Sequence, residues 1–183
     1  MRATRTPFLA VILALVLAVS AAWAQDNEPI QVFAILNGGD IAPEAVLTGA
    51  FAIADLTIDP AKGELTVILS AFNLPTGVSG AHIHVGSPGL VGPVLFDLRP
   101  NQRMAGDVEF SATINAGNLT TSPALGVRDL NDAFQALIGL AAYIDIHTEG
   151  HGDGEVRGWL MPWTSDSAAA RTRRMLLQTA PRR

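Results

Sequence analysis

The sequence predicts an all-β fold with one helix, an antiparallel Greek-key β-sandwich or barrel of about seven or eight strands. Three observations point there. Short segments alternate apolar and polar residues with period two, Gly- and Pro-rich turns separate them at regular intervals, and only one late stretch carries a helical apolar stripe.

The chain opens with Arg2 and Arg5, an apolar run from Phe8 to Val19, and then Ala22-Trp23-Ala24. A positive region, a short apolar region and small residues two apart form the pattern of a secretory signal, with cleavage expected after Ala24. An uncleaved membrane anchor is the alternative. The expected organisation is therefore a signal peptide at 1–24, one β-domain at 25–163 and a basic flexible tail at 164–183.

Ile30 to Leu36 reads as the first strand, closed by Asn37-Gly38-Gly39, and Asp40-Ile41-Ala42-Pro43-Glu44 reads as a loop. Gly49 to Ile58 and Glu64 to Leu74 are the next two strands. The Asp59-Pro60-Ala61-Lys62-Gly63 turn between them makes an antiparallel hairpin. In the second of these, Leu65, Val67 and Leu69 share one face, and Thr66, Ile68 and Ser70 share the other.

Ala81 to Gly86 is the next strand, followed by the Gly86–Pro93 loop, which reads as turn chemistry. Val94 to Leu98 and Asp107 to Ile114 are further strands. Asp129 to Leu140 is the expected helix, with Leu130, Ala133, Phe134, Leu137 and Ile138 on one stripe and Gly139 placed to close it. Tyr143 to Thr148 and Glu155 to Leu160 are the last strands, and Met161-Pro162 is expected to end the domain, because proline cannot donate into a ladder.

Composition narrows the functional classes. The chain has no cysteine, which excludes disulfides, thiol nucleophiles and redox thiols. From Gln25 to Trp163 five basic residues face sixteen acidic ones, a formal balance of −11. Such a body repels phosphate backbones and attracts cations, so a nucleic acid is not an expected partner. From Thr164 onward there are five arginines and one acid, Asp166. That tail reads as flexible, with a short helix touching anionic surfaces as the alternative.

The chemistry concentrates in two strands. His82 and His84 share a face, as do Tyr143, Asp145 and His147. His151 and Asp153 follow in a Gly-rich turn, and Glu155, Arg157 and Trp159 share a face of the next strand. If these strands are neighbours, one face carries His82, His84, Asp145, His147, Glu155 and Arg157. Two readings of that face are open. In the first, a non-catalytic binding or structural domain uses it as a hydrogen-bonded network, with Glu155, Arg157 and Tyr143 as members and Asp145 or Glu155 as a bidentate partner for Arg157. In the second, His82, His84 and His147 ligate one zinc, copper or nickel ion, with Asp145, His151 or Asp153 completing the shell, and the protein binds or sequesters the metal. A hydrolase using His147 or a carboxylate as general base is a third reading, but no Gly-x-Ser-x-Gly elbow is present.

Gly80-Ala81-His82-Ile83-His84-Val85-Gly86, the Gly89-Leu90-Val91-Gly92-Pro93-Val94 loop, Tyr143-Ile144-Asp145-Ile146-His147-Thr148 and Gly154-Glu155-Val156-Arg157-Gly158-Trp159-Leu160 together resemble the CHRD domain, over about Ile30 to Met161. The resemblance implies an exported domain that is secreted or periplasmic, with an extracellular or envelope partner. In chordin such domains belong to an extracellular antagonist of bone morphogenetic proteins. Three departures stand out. Asp145 replaces the family's usual asparagine, Gly150-His151-Gly152-Asp153 replaces a turn with proline, and Asp40-Ile41-Ala42-Pro43 stands for a Glu-Val-Pro-Pro segment. The His-x-His strand is also similar to that of copper-zinc superoxide dismutase. That enzyme's pattern needs more than four histidines and a disulfide, so its activity is not implied.

Overall fold

The computed structural model describes residues 28–98 and 104–163. The expected leader and the arginine-rich tail lie outside the described residues, as do Arg99 and Arg103. Nine strands run in order: β1 (Ile30–Asn37), β2 (Phe51–Asp59), β3 (Glu64–Leu74), β4 (Val78–Val85), β5 (Val94–Asp97), β6 (Gly106–Ile114), β7 (Ala142–Thr148), β8 (Val156–Trp159) and β9 (Met161–Pro162). The helix α1 (Leu130–Ile138) precedes β7. Among the described residues, no helix is long and apolar enough to cross a membrane.

All pairings are antiparallel, in the order β5-β4-β7-β8-β1-β2-β3-β6, and the sheet curls until it nearly closes into a barrel. The β2–β3 hairpin is as expected, Asp59 facing Glu64 across its turn. Other neighbours are distant in sequence, since β3 hands over to β4 across the barrel and β4 finds β7. Alternation explains the curl. Val32, Ala34, Leu36, Ala52, Leu56, Leu65, Val67, Leu69, Ile83, Ile144 and Ile146 all point inward and are buried, while Ile68 stays outside, 46 % exposed. Each inward aliphatic side chain contributes on the order of 1.5–3 kcal/mol.

The helix caps the core with Ala133, Phe134 and Leu137. Its N-terminus is fixed by Asp129, whose carboxylate accepts from the Asp132 N–H at 2.9 Å. Both element ends fall on the expected residues. Gly139 closes the helix, its N–H on the Gln135 carbonyl and its φ an ordinary −84°, and Leu140 after it takes a left-handed φ of 62°. The last strand of the described residues is Met161–Pro162, and it ends at Pro162. Pro162 pairs opposite Val32 and offers only its carbonyl there, while Met161 faces Phe33.

Candidate functional site

The register of three strands builds the site. His82 of β4 lies opposite Asp145 of β7, which lies opposite Arg157 of β8; His84, Tyr143 and Trp159 form the parallel row. On its other side β8 lies close against β1, which Gly158 permits, because a side chain there would collide with the Ile35 carbonyl.

His82, His84, Asp145 and His147 bring one ligand-type atom each within 4.8 Å of one another. Asp145 is the hub. Its Oδ1 lies 3.2 Å from His84 Nε2, 3.2 Å from His147 Nε2 and 3.7 Å from His82 Nδ1. The hub is 1 % exposed, and His84 is buried with it. Burial alone would raise the Asp145 carboxyl, but the three imidazoles, His147 foremost, outweigh it and hold the group well below the usual carboxylate range. For His147, burial favours the neutral ring. The Asp145 hydrogen bond and charge, helped by the Gly152 carbonyl, prevail and raise its value.

Two backbone carbonyls set the rings. His84 Nδ1 donates to Gly92 O at 2.8 Å and His147 Nδ1 donates to Gly152 O at 2.8 Å. A carbonyl only accepts, so both Nδ1 atoms carry hydrogen and both Nε2 atoms turn toward Asp145. His82 Nδ1 and His84 Nε2 are buried without a hydrogen-bond partner. Polar atoms in that state call for a further group.

The loop over the site was read in the sequence as turn chemistry, and it does more than turn. Gly92 N–H donates to the Tyr143 hydroxyl at 2.9 Å, and the Leu90 carbonyl accepts from Arg157 at 3.3 Å. A side chain at position 92 would run into the Val85 carbonyl, so glycine is required for the loop to close over β4. Tyr143 stacks on His84 with centroids 4.7 Å apart, and the Arg157 guanidinium lies 4.2 Å from the Tyr143 ring centre. Burial pushes the Tyr143 hydroxyl above its ordinary value, against the Gly92 N–H and the Arg157 charge.

Several expected members stand elsewhere. Arg157 has no bidentate carboxylate partner, since its nearest approach to Asp145 is 3.7 Å, at Oδ2. Glu155 does not join the histidine face. It precedes β8 after Gly154, whose φ is +115°, and its carboxylate accepts from Thr48 at 2.7 Å and Thr148 at 2.6 Å. His151 and Asp153 lie outside the four-residue group. The turn folds back so that the His151 backbone pairs with Thr148, and both residues line a groove against the Ile41–Val46 loop. The carbonyls of Gly92 and Gly152 were not legible as functional groups, and the glycines around them were the only signal.

The family model for the CHRD domain matches residues 32–160, which holds every strand from β2 to β8 and the whole site. Comparison with curated proteins and with solved structures returns no match.

Proposed function

Because the chain belongs to the CHRD-domain family, we propose that it is an exported, non-catalytic binding module that holds one transition-metal ion through His82, His84, His147 and Asp145. One observation carries the reading: two imidazoles locked by backbone carbonyls turn Nε2 toward a single carboxylate oxygen, His147 Nε2 hydrogen-bonded to it and His84 Nε2 left without a partner. A ring whose Nδ1 already carries hydrogen can face a carboxylate through Nε2 only with a proton or a metal cation between them.

The spacing suits such a cation. Ligand bonds of about 2.0–2.1 Å in a tetrahedron place donor atoms about 3.4 Å apart, and the three imidazole contacts to Asp145 Oδ1 are 3.2, 3.2 and 3.7 Å. Three imidazoles and a carboxylate suit zinc, copper or nickel. Carbonyls on the far ring nitrogens are the outer contacts that fix ligand orientation in metal sites. Four protein ligands on one ion favour binding or sequestration over catalysis, which keeps an open position.

A second reading is favoured by Arg157, a fixed positive charge 3.7 Å from Asp145 Oδ2. In it the cluster is a hydrogen-bonded network that fixes strand register. Elemental analysis of the full exported chain, purified without a His-tag, separates the two. About one equivalent of zinc, copper or nickel, lost in His82→Ala and His147→Ala, supports the metal reading. No stoichiometric metal, with a melting temperature unmoved by cation titration, leaves the network.

A further inference from the structure

Glu155 is the one fully buried carboxylate outside the histidine cluster among the described residues, and its contacts are made away from that cluster. Its surroundings explain what it does. The Thr48 hydroxyl oxygen accepts from Ala50 N–H at 3.1 Å, and the Thr148 hydroxyl oxygen accepts from His151 N–H at 3.2 Å. With those oxygens engaged, each hydroxyl directs its own hydrogen to Glu155, at 2.7 and 2.6 Å. Two converging donors require two acceptors on one group, which a carboxylate supplies and an amide does not.

This latch holds the turn that orients His147. Thr148 N–H bonds to the His151 carbonyl, Gly154 N–H bonds to the same carbonyl, and Glu155 N–H returns to Ile146 at 2.8 Å. Between these anchor points sits Gly152, whose carbonyl receives His147 Nδ1–H. The turn is also held by Gly150 N–H to the Thr76 hydroxyl, Glu149 N–H to the Gly77 carbonyl and His151 N–H to the Thr148 carbonyl.

We propose that Glu155 is a positioning residue for the metal-binding ring of His147: it pins Thr148 and Thr48, which fixes the 149–154 turn and keeps the Gly152 carbonyl on Nδ1. The inference rests on the metal reading for its binding consequence, but the ring orientation stands apart from it. Outer groups that orient a ligand typically change metal affinity by about 10–100-fold.

The test measures two things in the full chain and in Glu155→Gln, Thr148→Val and Thr148→Ser. Zinc affinity is taken by competition with a chelating dye, and the His147 Nδ1–H is followed by nitrogen-15 NMR of the chelated protein at fixed pH. The expected result is a roughly 10–100-fold weaker zinc affinity and loss of the Nδ1–H signature in Glu155→Gln and Thr148→Val, with Thr148→Ser close to wild type. If the wild type binds no zinc yet the signature is lost in Glu155→Gln, the positioning role stands and the metal reading falls. Lower melting temperatures with zinc affinity and the Nδ1–H signature intact would overturn the proposal. Should Glu155→Gln fail to fold, Thr48→Val removes one donor only and is read by the same two criteria.

Discussion

Asp145→Asn preserves the side chain's shape and removes its charge, and the structure sets the size of the effect. Asp145 and Arg157 are each 1 % exposed and approach to 3.7 Å. Two unit charges at that distance attract by about 4–5 kcal/mol at an effective dielectric constant near 20. That is a gross figure, because desolvating both ions offsets much of it in the intact protein. In the variant the guanidinium stays charged and stays buried, holding only the Leu90 carbonyl and the Tyr143 ring. Removing one partner of a buried pair typically costs about 3–5 kcal/mol, and the two remaining contacts argue for the lower end. At about 3–4 °C per kcal/mol for a domain of this size, Asp145→Asn should melt roughly 10 °C below wild type. The measurement is a calorimetric melt at pH 7 in chelator, so that bound metal cannot contribute. A variant melting within about 2 °C of wild type would refute the dependence of Arg157 on Asp145. Adding Arg157→Met should recover much of the loss, because the stranded charge is then gone.

Further expectations concern pH and the covering loop. In chelator, the raised value of His147 means that its contribution is complete below about pH 6.5 and fades as pH climbs through its folded value; the lowered Asp145 contributes above about pH 4 and is lost only in strong acid. Melting temperature should therefore fall from pH 6 to pH 8, and a flat or rising profile would contradict the assignment. Gly92→Ala places a methyl on the Val85 carbonyl and should destabilise by about 1–3 kcal/mol while freeing the His84 ring, read by denaturant melts and zinc affinity together. Tyr143→Phe keeps the stack on His84 but strands the Gly92 N–H, for an expected loss of about 1–3 kcal/mol in the same melts.

Strand identity was legible because period-two alternation is a local property. Leu65, Val67 and Leu69 announce their shared face without knowledge of a partner, and so do His82 and His84. What alternation cannot supply is adjacency. That β4 lies against β7, and His82 opposite Asp145, is set by pairing between segments far apart in the chain, with closing loops and the core deciding the outcome. Parity also misplaced Glu155. It counts as a neighbour of Arg157 two residues on, but the left-handed Gly154 turns the chain before β8 begins, and the carboxylate goes to two threonines instead. The histidine face does lie clear of the apolar core, and the 86–93 loop reaches it at the buried His84, whose Nδ1 donates to the Gly92 carbonyl. Backbone carbonyls such as those of Gly92 and Gly152 leave no trace in side-chain patterns.

The charge balance of the cluster leads to one more expectation. Asp145 and Arg157 cancel, so the three imidazoles face a locally neutral pair. Yet His84 and His147, each with Nδ1–H committed to a carbonyl, cannot both present bare Nε2 atoms to Asp145 Oδ1 at 3.2 Å without a positive charge among them. In the metal-free protein a proton supplies it, and the His147 Nε2 hydrogen bond to Asp145 at 3.2 Å, which raises that ring, points to His147 as its holder. A metal ion would take the same position between the same atoms, so binding must expel the proton. Calorimetric titration of zinc at pH 7 in buffers of different ionisation enthalpy should show protons released on binding. Affinity should then weaken as pH falls from 7 to 6, while the metal-free protein becomes more stable over the same range. Binding without proton release would mean that the imidazoles are already neutral beside Asp145, and the raised His147 would lose its physical basis.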